Sequence, residues 1–129
     1  MEAVNIKGEV TTGKGEGERF IKLPWVKKQI VEKLGFTPFH GTLNIRLSEQ
    51  DTKLRKQLKK AHSINIQPVA SFNPGKCYKA YLTDKIECAI VIPDVPRYPA
   101  DTIEIVAAVN LRQELQLKDG DVVDIKVPI

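Results

Sequence analysis

At 129 residues, with 42% hydrophobic and 28% charged side chains, the chain suits one domain around one core and lacks the profile of a disordered protein. Its longest apolar run, near residues 88–92, is far too short to span a bilayer as a helix. The start at Met1-Glu2 shows no basic-then-apolar leader, so a cytoplasmic setting is expected. A net charge of +4 suits a polyanionic small ligand such as a nucleotide without requiring one, and falls short of a dedicated nucleic-acid binder.

Residues 5–11 alternate loosely and end in turn residues, so a strand is expected there. Gly13-Lys14-Gly15-Glu16-Gly17 reads as a glycine-rich loop. Residues 19–23 again have strand character, and the loop would join the two strands. Pro24 opens a helix, at a position where its missing N–H costs nothing. Val26, Ile30, Val31 and Leu34 then recur at helical spacing, and Gly35 follows as a C-cap. Residues 41–47 form the next strand, with Leu43, Ile45 and Leu47 on one face. Ser48, with Asp51 three residues on, is expected to cap a short exposed helix within the charged stretch 48–62.

Residues 64–70, 77–82 and 86–92 read as strands. Turns at Asn73-Pro74-Gly75 and Thr83-Asp84-Lys85 separate them. Pro93, Pro96 and Pro99 make residues 93–101 a loop. Residues 102–108 form a strand, 110–117 a helical turn, and Lys118-Asp119-Gly120-Asp121 a tight turn into a last strand, 122–127. Many short strands separated by turns argue for a closed barrel over a layered α/β sheet. The likeness of Leu43-Asn44-Ile45-Arg46 to Val109-Asn110-Leu111-Arg112 hints at a duplicated half-barrel.

Three features carry chemical interest. The glycines of the 13–17 loop let the backbone approach a ligand, and its N–H groups can form an anion-binding concavity with Lys14 and Arg19 at the edges. The spacing is neither a P-loop nor a dinucleotide fingerprint, and a plain flexible hairpin accounts for it as well. Thr42 and Asn44 point to one face of a strand. They offer a hydroxyl and an amide oxygen, hard ligands suited to Mg²⁺, although a solvent-facing strand surface has the same pattern. Glu104 lies between Ile103 and Ile105; a carboxylate there either points to solvent, the commoner case, or binds a ligand that carries hydroxyls.

Other features read blandly. Arg112, in the turn after that strand, suits a phosphate or a base edge, or the surface. His40 and His62 lack metal-binding partners. The basic run Lys53, Arg55, Lys56, Lys59 and Lys60 reads as a solvated helix face. Cys77 and Cys88 lack redox or zinc spacing.

In order along nearly the whole chain, several stretches resemble the archaeal-type CTP-dependent riboflavin kinases. These are Gly8-Glu9-Val10, Gly13-Lys14-Gly15-Glu16-Gly17, Leu34-Gly35-Phe36-Thr37-Pro38-Phe39 and Gly41-Thr42-Leu43-Asn44. The later ones are Ala89-Ile90-Val91-Ile92-Pro93, Ile103-Glu104-Ile105-Val106-Ala107, Asn110-Leu111-Arg112 and Leu117-Lys118-Asp119-Gly120-Asp121. The resemblance implies a mainly β fold, a six-stranded cradle-loop barrel with a few short helices, as one domain over residues 1–129. It also implies transfer of the CTP γ-phosphate to the riboflavin 5′-hydroxyl, giving FMN and CDP.

By the same likeness, Lys14, Gly15, Glu16, Gly17, Glu18 and Arg19, with Val109, Asn110, Leu111 and Arg112, hold the nucleotide. Thr42 and Asn44 hold Mg²⁺. Glu104 contacts the flavin and is the one candidate for a catalytic group. The family's flavin-contacting threonine is replaced here by Pro96, which offers only a backbone carbonyl, and its usual glutamate by Gln113. The expected partners are CTP/CDP and riboflavin/FMN, with no nucleic acid or membrane and the chain a monomer. Two rivals remain on the residues alone: an AbrB-like DNA-binding barrel, suggested by residues 117–127 and the basic run, and a flavin-binding protein without catalysis.

Overall fold

A computed structural model describes residues 3–13, 16–68, 74–94 and 98–129, apart from the side chains of Glu16, Lys59 and Lys60. Seven strands run in chain order: β1 (Ala3–Thr11), β2 (Leu43–Leu47), β3 (Ile64–Ile66), β4 (Gly75–Leu82), β5 (Ile86–Pro93), β6 (Thr102–Val106) and β7 (Val122–Pro128). They pair in the order β3-β4-β5-β6-β2-β1-β7, and a further β4–β7 pairing closes six of them into a barrel with β3 outside. Every pairing is antiparallel. This is the expected six-stranded barrel. Closure leaves the six barrel strands no free edge.

Strand alternation sorts side chains into two cores. Leu43, Ile45, Leu47, Ile90, Ile103 and Ile105 point inward and fill the barrel. Their outward neighbours Ala89, Val91 and Val106 belong to a second cluster on the outer wall. That outer cluster is roofed by two helices, α1 (Glu16–Ile21) and α2 (Pro24–Leu34). Helix α2 buries Val26, Ile30 and Leu34 at the expected spacing, while Val31 stays 43% exposed. It ends at Gly35, whose φ of 83° is the left-handed cap and whose N–H donates to the Val31 carbonyl.

The roof corrects one sequence expectation. Residues 19–23 do not form a strand; most of them lie in α1 and the bend after it. Gly17, Phe20 and Ile21 are buried, and their i, i+3, i+4 spacing is helical. A six-residue helix was too short for periodicity to outvote the Phe-Ile pair's strand character. Phe20 seats α1 on the wall: a Cβ built on Gly75 would lie 2.6 Å from the Phe20 ring. Its ring also meets Trp25 edge-on, with centroids 6.0 Å apart.

The charged stretch after β2 folds as α3 (Glu49–Arg55) and a 3-10 turn, Lys56–Lys60. Ser48 caps α3 by accepting from the Asp51 N–H, as expected. The β4–β5 hairpin turns through Thr83 and Asp84, both with positive φ, and Lys85 N–H donates to the Leu82 carbonyl at 3.1 Å. Residues 69–73 of the expected strand and turn lie outside the described residues.

The half-barrel echo fails locally. Asn44 sits mid-strand in β2, whereas Asn110 caps a four-residue helix, α4 (Leu111–Glu114). Shared residue types there answer different needs, a strand face in one case and a helix start in the other. No helix among the described residues is long and apolar enough to cross a membrane. Replacing Phe20 by Ala should lower the unfolding free energy by about 3 kcal/mol in urea titrations, the usual scale for a buried phenylalanine; a loss near zero would show that α1 is not seated by this ring.

Candidate active site

The site is built on the outer wall where three strands run side by side. Asn44 in β2 pairs with Thr11 in β1 on one side and with Glu104 in β6 on the other. Glu104 in turn pairs with Val91 in β5. Alternation points Asn44 and Glu104 away from the barrel interior. Glu104 is nonetheless only 2% exposed, the single buried charged residue among those described.

A buried carboxylate is costly unless its lone pairs are met. Three donors meet them. The Gly17 N–H donates to Oε2 at 2.7 Å, the Tyr98 hydroxyl to Oε2 at 2.8 Å and the Thr42 hydroxyl to Oε1 at 2.7 Å. The Gly17 N–H can only donate, and both hydroxyls lie at donating distance, so each carboxyl oxygen has a partner. Glu104 therefore does not point to solvent. Its partners are groups of its own chain, the Gly17 N–H and the Thr42 and Tyr98 hydroxyls.

The glycines at either end of the 13–17 loop owe their presence to this row of side chains. A Cβ on Gly17 would lie 2.5 Å from the Glu104 carboxyl carbon, and one on Gly13 would collide with the Asn44 carboxamide. Only glycine lets the backbone come this close. Loop and strand pair, distant in sequence, are thus brought together. Lys14 and Gly15 lie outside the described residues, as does the side chain of Glu16.

The second sequence-predicted segment meets the first at a cavity of about 190 Å³. Glu18, Thr42, Val109, Asn110, Leu111 and Arg112 all line it, with Phe39 at its wall. Phe39 is fixed by donating its N–H to the Ala107 carbonyl at 2.7 Å, and its ring stacks against His40 at 4.2 Å. Asn110 accepts from the Gln113 N–H, which uses the backbone of Gln113 and not its side chain. Arg112 bonds the Thr11 carbonyl at 3.1 Å and Asp119 at 2.7 Å. The Arg112 hydrogen bond, then the Thr12 hydroxyl, holds the Asp119 carboxyl below its ordinary pKa. Arg112 thus ties α4 to the end of β1 beside the cavity. Arg19 is exposed on α1, and Pro96 lies outside the described residues.

Two larger cavities lie elsewhere. One of about 450 Å³ is lined by Asn65, Gly75, Ile92, Pro93 and Asp94. The other, about 730 Å³, opens beside Ile64, Lys79 and Pro128 and has none of the Glu104 group on its walls. Size therefore does not mark the site; convergence of polar groups does. Burial pushes both free thiols, Cys77 and Cys88, up to about 12, so they are inert at neutral pH.

Two participants escaped the sequence reading. Tyr98 sits in the proline-rich loop, six residues before Glu104, and its only sequence signal is that it is the aromatic residue there. Arg55 looked like part of a solvated basic face. It instead lies over the Tyr98 ring at 5.7 Å and donates through Nη1 to the Pro99 and Ala100 carbonyls at 3.0 and 2.8 Å.

Glu104→Leu tests the carboxylate. It leaves the buried Gly17 N–H without its acceptor, so the variant should lose about 1–3 kcal/mol of stability. Thermal and urea unfolding at wild-type values would mean that the Gly17 bond carries no weight.

The family model for CTP-dependent riboflavin kinases, described as "Domain of unknown function DUF120", matches residues 10–127. The chain is 44% identical over 124 residues to a riboflavin kinase of Methanosarcina acetivorans, covering 93% of this chain and 52% of that protein. It is 41% identical over 128 residues to a riboflavin kinase of Archaeoglobus fulgidus, covering 96% and 54% respectively. For a riboflavin kinase of Pyrobaculum aerophilum the figures are 40% over 131 residues, 98% and 62%. The chain thus spans between about half and three fifths of the length of these relatives. With a match across nearly all of its length, the chain belongs to the CTP-dependent riboflavin kinase family.

Proposed function

We propose that this chain is a riboflavin kinase that moves the γ-phosphate of CTP to the 5′-hydroxyl of riboflavin, releasing FMN and CDP. The observation that carries the reading is the meeting of separated segments around Glu104 and the neighbouring cavity. The 13–17 loop, Thr42 and Asn44, and the 109–112 segment were each singled out in the sequence, and they adjoin one another. The family match and the riboflavin kinases among its relatives support the same substrates.

Phosphoryl transfer asks chiefly for positioning and charge neutralisation. In this reading the loop from Lys14 to Arg19 wraps the phosphates, with N–H groups and Lys14 facing them. The cytidine ring enters the cavity lined by Val109, Asn110, Leu111 and Arg112. Its 190 Å³ suits a one-ring base better than a purine, and backbone groups there can meet cytosine's amino and carbonyl edge.

Mg²⁺ fits the row of oxygens beside the loop. Thr42 spends its proton on Glu104, which leaves lone pairs on its oxygen for a cation. The Asn44 carboxamide lies against the loop backbone at Gly13. Thr42 and Asn44 would hold the ion, whose other ligands would come from water and phosphate. Bound there, the ion would neutralise phosphate charge.

Riboflavin is placed on the other flank of Glu104, toward Tyr98 and the 450 Å³ cavity lined by Gly75, Ile92 and Pro93. Val91, two residues before Pro93, is the strand partner of Glu104, which supports this side. Glu104 orients the reactants; a loose transition state needs no strong base. Residues 1–129 would work as one unit in the cytosol, as a monomer. The DNA-binding rival loses a contact, since Arg55 is turned inward on a loop of its own chain.

The assay is direct. Riboflavin, Mg²⁺ and each nucleoside triphosphate are incubated with the chain, and FMN is separated by chromatography. FMN should form with CTP far faster than with ATP, GTP or UTP; no FMN with any of them rejects the reading. Asn44→Ala should lower turnover by about two orders of magnitude, as expected when a group neutralising transition-state charge is removed, while the melting temperature holds. Near-normal turnover in that variant would remove Asn44 from the metal site.

A further inference from the structure

We propose that Tyr98 and Arg55 are positioning residues for the flavin side of this reaction, Arg55 pinning residues 98–101 and Tyr98 passing that placement to Glu104. The inference rests on the kinase reading above and adds to it two side chains outside the nucleotide loop, the metal pair and the 109–112 segment.

The chain of contacts is continuous. Helix α3 is fixed at its start by the Ser48 cap and by Asp51, which accepts the Lys7 N–H of β1 at 3.1 Å. Arg55 is its last residue. The two N–H groups of Arg55 Nη1 reach the Pro99 and Ala100 carbonyls, and the guanidinium plane covers the Tyr98 ring. The next residue in the loop, Asp101, accepts the Leu47 N–H of β2 at 2.6 Å. Residues 99–101 are therefore held from two sides by elements of the barrel wall. Tyr98 stands at the end of that clamp and donates to the same Glu104 oxygen that accepts the Gly17 N–H.

The chemistry of Arg55 fits a clamp and not a surface charge. Burial lowers its pKa, opposed by the two tyrosines Tyr98 and Tyr78 and by Asp101. A guanidinium placed where its charge is disfavoured is held by specific partners. Two carbonyls and an aromatic face together match its planar fork, which the point charge of lysine does not reproduce. Tyr98 contributes one hydroxyl to a carboxylate that already has two donors. Its loss should leave Glu104 in place but free to swing, which damages orientation more than fold.

Steady-state kinetics of the full chain separate positioning from support of the fold. In Tyr98→Phe and in Arg55→Lys, kcat/KM for riboflavin should fall roughly tenfold, the scale of one hydrogen bond to a charged group. The KM for CTP should change less than the riboflavin term, because neither Tyr98 nor Arg55 lines the nucleotide cavity. Lys53→Ala, an exposed change on the same helix, should match wild type. Hydrogen exchange supplies a readout that needs no turnover: the Gly17 amide should exchange faster in both variants, since Glu104 no longer holds it as firmly.

Equal losses toward both substrates with Gly17 exchange unchanged would overturn the proposal, as would wild-type kinetics in both variants. If the wild-type chain makes no FMN, the kinase reading fails with it. Gly17 exchange then decides the clamp alone, faster in Tyr98→Phe for it and unchanged against it.

Discussion

A carboxylate placed beneath a helix on an otherwise apolar wall sets the terms for everything near it. Glu104 is 2% exposed and its strand partner Val91 belongs to the apolar outer cluster, and burial makes each missing hydrogen bond expensive. The chain answers with donors from three separate places: a helix-start N–H, a hydroxyl just before β2 and a hydroxyl in the proline-rich loop. Each donor fixes its own segment in return. The junction of β1 and α1, the entry to β2 and the loop before β6 are all held to one residue, so moving any of them disturbs the other two.

The barrel makes that arrangement precise enough for chemistry. Its interior is filled by branched aliphatic side chains such as Ile45, Ile90, Ile103 and Ile105, all fully buried, so no ligand enters it. The wall is correspondingly rigid, and antiparallel register lines up Thr11, Asn44, Glu104 and Val91 across four strands. Sites built on strands are placed more accurately than sites on loops alone. Here the loops bring glycine backbone and hydroxyls to a row that the strands have already set.

Much of this was legible in the sequence, and the failures have physical causes. Period-2 alternation in Leu43, Ile45 and Leu47 and period-3.6 spacing in Val26, Ile30 and Leu34 showed β2 and α2, because long regular elements repeat their burial. Ser48 and Gly35 marked helix ends through cap chemistry that is local by nature. Helix α1 was misread because six residues give no repeat. The burial of Glu104 was invisible for a different reason: it depends on Gly17, Thr42 and Tyr98, which lie 87, 62 and 6 residues away. Arg55 was hidden by its neighbours, since a run of basic residues looks uniform until one of them finds carbonyls. The family resemblance reached Glu104, Thr42 and Asn44 through ordered motifs, where composition and spacing alone favoured solvent.

The two oxygens of Glu104 face different tasks. Among the described residues, Oε1 takes the Thr42 hydroxyl, while Oε2 is shared by the Gly17 N–H and the Tyr98 hydroxyl. In the proposed reaction Thr42 and Gly17 belong to the metal and nucleotide side, and Tyr98 to the flavin side. One carboxylate therefore touches both halves of a two-substrate site. The Gly17 N–H and the Tyr98 hydroxyl share one oxygen, so a change at either bond bears directly on the other. The close approach of Gly13 to Asn44 and of Gly17 to Glu104 then has one cause. In the proposed reaction a loop that wraps phosphate must also stay close to that row, and a side chain at Gly13 or Gly17 would hold it away.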